Sequence, residues 1–188
     1  MRWQQLFADL QAQFEAEEAA EDRATGASRA RAEMGAVDLV RRMRGSLGRP
    51  LTLRCQGAGT VAGTLTDAGV DWLLLDDAQG RSVLVASAAV RTVTGLGRRT
   101  TVEDSGVVRA RMDLRWALRG LARDRSAVQV VLDDGGVLTG TLDRVGADHV
   151  ELAEHPADVP RRAEAVQAVT AVVVAAIAVV RTLPPGLG

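Results

Sequence analysis

Residues 51–76, LTLRCQGAGTVAGTLTDAGVDWLLLD, recur as residues 128–153, VQVVLDDGGVLTGTLDRVGADHVELA. The two stretches align without a gap at an offset of 77 residues. Gly63-Thr64-Leu65 falls on Gly140-Thr141-Leu142, Gly69 on Gly146, Asp71 on Asp148 and Leu75 on Leu152. The period within each copy is two. Leu51, Leu53 and Cys55 alternate with Thr52, Arg54 and Gln56, the pattern of a half-buried strand. A turn at Gln56–Gly59 leads to a second strand carrying Val61, Gly63 and Leu65. Asp67-Ala68-Gly69 turns into a third, Asp71–Asp76. After the turn Asp76–Gly80, a fourth strand is predicted over Arg81–Val85, then one helical turn at Ala88-Ala89-Val90 and a fifth strand over Arg91–Thr94. In the second copy the strands fall at Val128–Leu132, Leu138–Asp143, Asp148–Leu152, Ala168–Val174 and Ala178–Arg181. A longer loop, Glu154–Ala165, raises the offset to 87 by Ala175-Ala176-Ile177. Five short strands joined by Gly-bearing turns predict a small antiparallel barrel.

Each copy is preceded by a helical pattern. Met34, Val37, Val40, Met43 and Leu47 keep helical spacing until Gly45, Gly48 and Pro50 stop it. Ala110, Leu114, Ala117, Leu118 and Leu121 do the same before the second copy. Further upstream, Trp3, Leu6, Phe7, Leu10 and Phe14 form one apolar stripe among acids and glutamines. A weak spot follows at Ala24–Ser28, where Gly26 costs about 1 kcal/mol against Ala inside a helix. The expected fold class is mainly β with helices (α+β): an acidic amphipathic helical segment over 1–36, a first barrel with its helix over 37–96, a linker over 97–106, and a second barrel with its helix over 107–183.

The order helix, then five strands, with Gly-x-Leu in strand two and Asp-x-Leu-x-Leu in strand three, resembles the Sm-like fold of Sm, LSm and Hfq proteins, within the SH3-like class. The resemblance covers roughly residues 37–94 and 112–181. It implies two tandem five-stranded barrels and edges at which strand four of one barrel pairs with strand five of the next. Sm-like proteins that thread uridine-rich RNA carry an Asn after the strand-three Asp and an Arg-Gly or Lys-His pair in the last loop. Here Asp71 and Asp148 are followed by Trp72-Leu73 and His149-Val150, and the last loops read Ala86–Ala89 and Val174–Ala176. The base-reading residues of that family have no counterparts in either copy.

The net charge of −1 and a sequence pI near 6.1 give no global attraction to nucleic acid or an anionic membrane. All 23 basic residues are Arg, with no Lys, Asn or Tyr and Ile177 the sole Ile. This is the signature of GC-rich coding and weakens any inference from arginine content alone. Cys55 is the one cysteine, so neither an intrachain disulfide nor a cysteine zinc cage is available. The first 22 residues carry acids where a signal peptide needs an apolar core, and the longest apolar run, Val169–Val180, is too short for a bilayer, so a cytoplasmic location without membrane partners is expected.

Motifs of chemistry are absent. His149 and His155 lack a His-x-x-x-His spacing, so no metal or other cofactor is expected. Asp76-Asp77 and Asp133-Asp134 precede Gly and read as turns. Gly57-Ala58-Gly59 and Gly95-Leu96-Gly97 lack the Lys-Ser/Thr of a phosphate loop. The expected function is therefore a non-enzymatic binding or assembly module, self-associating or protein-binding. Alternation turns Trp72 and Leu74 outward, where the N-terminal stripe of Trp3, Phe7 and Leu10 in the first place, or else the other barrel or a second subunit, should cover them, and these five residues are the candidates for an apolar protein interface. The alternative is an RNA- or DNA-binding regulator using Arg41, Arg42 and Arg44 with Arg115, Arg119 and Arg123, Trp116 stacking on a base. The charge balance favours the plainer reading, in which these arginines line a solvated helix face.

Overall fold

The alternation read at Leu51–Cys55 is borne by the first strand of the fold, β1 (Pro50–Cys55), whose residues are exposed and buried in turn. The computed structural model describes residues 38–97, 112–157 and 161–183, with Arg23, Gly26 and Gly35 besides. The proposed N-terminal segment, including Trp3, Phe7 and Leu10, otherwise lies outside the described residues. Gly26 and Gly35 both have helical backbone. The chain divides into two units, Met1–Asp38 and Leu39–Gly188, the second holding both repeats.

The first repeat runs α1 (Leu39–Arg44), β1, β2 (Gly59–Ala68), β3 (Trp72–Asp76), β4 (Ser82–Ala86), a 3-10 turn at Ser87–Ala89, and β5 (Val90–Thr94). The second runs α2 (Leu114–Asp124), β6 (Ala127–Leu132), β7 (Val137–Val145), β8 (His149–Glu154), β9 (Ala168–Val173), a 3-10 turn at Val174–Ala176, and β10 (Ile177–Thr182). A further 3-10 turn, Ala163–Ala165, lies in the long loop. The repeats match in detail. Register shifts occur between Leu65 and Asp67 and between Leu142 and Arg144, at equivalent places in β2 and β7. Such bulges bend a long strand and let it serve two neighbours. Gly63 and Gly140 are glycines for one reason: a Cβ there would sit 2.5 Å from the Asp76 carbonyl oxygen and 2.0 Å from that of Ala153.

The expected two tandem Sm-like barrels are not what these strands build. All ten form a single antiparallel sheet in the order β5-β1-β2-β3-β4-β10-β6-β7-β8-β9. Among the described residues neither set of five closes on itself, since β5 pairs with β1 and not with β4, and β9 with β8 and not with β10. The reason lies in β4 and β10. Both are apolar nearly throughout, and they pair with each other at Val85–Val179, Leu84–Val180 and Val83–Arg181. The backbone groups that an open set of five strands would leave unpaired on β4 find their partners in the other repeat. One core follows, running from Leu51, Leu53 and Leu65 through Val83, Val85 and Val179 to Val128, Leu142 and Leu152, all at most 2% exposed. Among the described residues no helix is long and apolar enough to cross a membrane.

Candidate assembly interface

The join between the repeats defines what a strand edge of this protein accepts. At one end of β4 the Ser82 amide donates to Thr182 Oγ1, and that hydroxyl donates back to the Ser82 carbonyl, each at 3.2 Å. The amide of Ser82 thus faces β10. The amide of Ser87 turns the other way and donates to the carbonyl of Asp71, just ahead of β3. Strand alternation then sends the amides of Ser82, Leu84 and Ala86 toward β10 and those of Val83 and Val85 toward β3. At the join Val83, Leu84, Val85, Val179 and Val180 are all buried.

The counterparts of these strands sit at the two ends of the sheet. β9 corresponds to β4 and β5 to β10, and among the described residues each has one paired neighbour. Their exposure differs sharply from that of their counterparts. Val169 and Val173 of β9 are 61% and 56% exposed, and Ala168 and Ala171 are also exposed. In β5 Arg91, Thr92 and Thr94 are exposed and Val90 and Val93 half-buried. The Val174 amide donates to Asp148 O, as Ser87 does to Asp71, so the amides of Val169, Ala171 and Val173 face outward. The signal for this edge in the sequence is the run Val169–Val180, apolar on both strand faces.

The sequence-derived interface at strand three is placed differently. Leu73 and Leu75 are fully buried, as alternation requires, but Trp72 is also only 2% exposed and Leu74 is half-buried. The expected outward apolar patch is therefore covered from within the chain. Trp72 Nε1 donates to the Met112 carbonyl at 2.8 Å, and the Trp116 indole of α2 stacks on Trp72. Gly69 makes room for this, since a Cβ there would lie 2.1 Å from Trp72 Nε1.

The arginines separate into two groups. Arg42 and Arg44 are half-buried and donate to the carbonyls of Gly97 (3.2 Å) and Gly69 (2.7 Å). Arg115 pairs with Asp113 and donates to the Ala147 carbonyl at 2.8 Å. These three hold loops. Arg41, Arg119 and Arg123 are exposed, the last two on the helix face that carries Trp116. Asp113 caps α2 by accepting from the Trp116 amide at 2.9 Å. Partial burial pushes its carboxyl up, but the Arg115 hydrogen bond, the Trp116 amide and the charges of Arg115 and Arg119 outweigh that and hold it below its ordinary value.

A cavity of about 560 Å³ lies at the junction, lined by equivalent positions of the two repeats: Gln56 and Asp133, Asp71 and Asp148, Ala88 and Ala175. Several of its polar groups are engaged in the fold. Asp71 Oδ1 accepts from the Leu114 amide at 2.7 Å, and Arg91 donates to the Ala88 carbonyl at 2.8 Å. Asp148 is bonded to His149, which together with the imidazole charge holds its carboxyl low. His155 is buried, with Nε2 2.9 Å from Thr141 Oγ1 and Nδ1 2.9 Å from the Pro156 carbonyl oxygen, and ties the long loop to β7. No protein-family model matches the chain, and no curated protein sequence is similar to it.

Proposed function

We propose that this chain is a non-enzymatic, cytoplasmic assembly module that self-associates or binds another protein by strand addition at the outer edges of its sheet. The observation that supports this best is β9. Edge strands are usually blunted by charge, proline or a bulge, because their unpaired backbone recruits other strands. β9 reads AVTAVV, with no charged residue and no proline, and exposes Val169 and Val173. The same chain already uses an apolar strand edge of this kind to join its two halves.

The test is the mass of the purified protein in solution, compared with that of Ala171→Pro. That substitution removes an outward-facing amide and none of those bonded to β8. The wild-type mass is expected to exceed one chain and rise with concentration, and Ala171→Pro to reduce it. A wild-type protein that stays monomeric and captures no partner strand would overturn the reading.

The second reading, nucleic-acid binding, is favoured by one observation: Arg119 and Arg123 are exposed on the same helix face as the half-exposed Trp116. It requires retention on heparin that falls steeply with salt and is lost in Arg119→Glu.

A further inference from the structure

The two outer edges of the sheet differ in charge. On β5, Arg91 is exposed and stands where β10 has the fully buried Ala178. A strand laid along β5 in the manner of the internal join would take that guanidinium out of water, and a charge so placed is one of the usual ways an edge is closed to pairing. β9 has no such guard. It carries neither charge nor proline, and Val169, Ala171 and Val173 are exposed with their amides directed outward. The edge that suits β9 is another uncharged, apolar one, and of the two outer edges only β9 is of that kind.

We infer that β9 pairs with β9 of a second copy of this chain, antiparallel about a two-fold axis through Ala171. This rests on the assembly reading above and adds the partner and the register. Ala171 then faces Ala171 of the second copy, and on either side of the axis Val169 faces Val173. Opposed residues whose amides point at each other exchange both hydrogen bonds, so every outward amide of both strands is used. Moving the axis to Thr170 or Val172 would set Val173 opposite Gln167 or Val169 opposite Ala175, outside β9, and the Gln167 amide already donates to the Glu154 carbonyl at 2.8 Å. The side chains suit the same register. Each Val169–Val173 pair brings two exposed branched side chains together across the join, a cross-strand contact of the stabilising kind. The small Ala171 pair lies on the axis between them. The contact is isologous, so it closes as a dimer and leaves the Arg91-bearing β5 edges outermost.

Cysteine cross-linking reads direction and register, and light scattering of the full chain reads closure. The opposed Cα atoms of a hydrogen-bonded antiparallel pair lie about 5.5 Å apart, within disulfide reach. Ala171→Cys should therefore form a covalent dimer by itself. Val169→Cys and Val173→Cys, both at exposed positions, should cross-link as a mixture and not singly, since each lies roughly 13 Å along the strand from its own counterpart. Cys55 is buried, so the unmodified chain serves as the blank. Its mass should rise with concentration and level off at a dimer. Ala171→Cys that links to Val93→Cys and not to itself would overturn the two-fold contact in favour of β9 on β5, while leaving edge-mediated assembly standing. A mass that grows past the dimer would do the same. A monomer at every concentration, with no cross-links, would overturn both.

Discussion

The indole of Trp116 lies over that of Trp72 with ring centroids 6.3 Å apart and planes 12° from parallel. The two come from different repeats, Trp72 opening β3 and Trp116 sitting in the first turn of α2. The helix leading into the second repeat thus covers a strand of the first. Stacked aromatic pairs contribute about 0.5–1.5 kcal/mol beyond the area they bury. Trp116→Ala, which loses the stack and the buried half of a side chain that is 48% exposed, should destabilise by about 1 kcal/mol or more. Trp72→Ala, which empties a buried site, should cost about 3–5 kcal/mol. Thermal unfolding of the two variants checks the order, and the Trp72 emission should be blue-shifted in the native protein.

The cap of α2 makes part of the stability pH-dependent. The Asp113 carboxyl is held below its ordinary value in the fold, so its contribution is fully present above the unfolded carboxylate range near pH 4 and fades as pH falls through the lower folded value. Asp113→Asn keeps a capping oxygen and loses the charge. The stability difference between wild type and this variant should be constant above about pH 5 and shrink toward pH 2. Asp113→Ala should cost about 1 kcal/mol at neutral pH. Denaturant unfolding as a function of pH reads both.

A buried imidazole fixes the loop after β8. The Pro156 carbonyl can only accept, so Nδ1 of His155 carries the proton, and in the neutral ring Nε2 accepts from the Thr141 hydroxyl. Nitrogen chemical shifts should report the Nδ1–H tautomer. Thr141→Val leaves a buried nitrogen unpaired and should cost about 1–3 kcal/mol.

Glycine substitutions should separate by environment. Gly140→Ala places a Cβ 2.0 Å from the Ala153 carbonyl oxygen and should severely destabilise the β7–β8 pair. Gly120→Ala, in α2 with open space around the new methyl, should leave stability unchanged or raise it by up to about 1 kcal/mol. Urea unfolding of the two proteins would show the contrast.

The strands were legible in the sequence because period two in a half-buried strand writes itself into residue type. Leu51, Leu53 and Cys55 alternate in burial as in polarity, and the offsets of 77 and 87 place the matching bulges and 3-10 turns. The closure was not legible. The pairing of β4 with β10 is the strand-four to strand-five contact that the resemblance implied; what the pattern did not show is that each set of five stays open, since Val83–Val85 suits a partner in its own repeat equally. What covers Trp72 was hidden for a related reason. Alternation sends Trp72 to the outer face, as found, but does not say which element crosses that face, and it is α2 that carries Trp116 across it. The separation of Arg42, Arg44 and Arg115 from Arg119 and Arg123 was also hidden, since carbonyl partners such as Gly97, Gly69 and Ala147 come together only in three dimensions.

The assembly account depends most directly on the outward amides of β9, and hydrogen exchange of the full chain at several concentrations measures them. If copies join through this edge, exchange at Val169, Ala171 and Val173 should slow as concentration rises, approaching that of Leu84 in the internal join. Exchange at those three amides that stays fast and independent of concentration would contradict it.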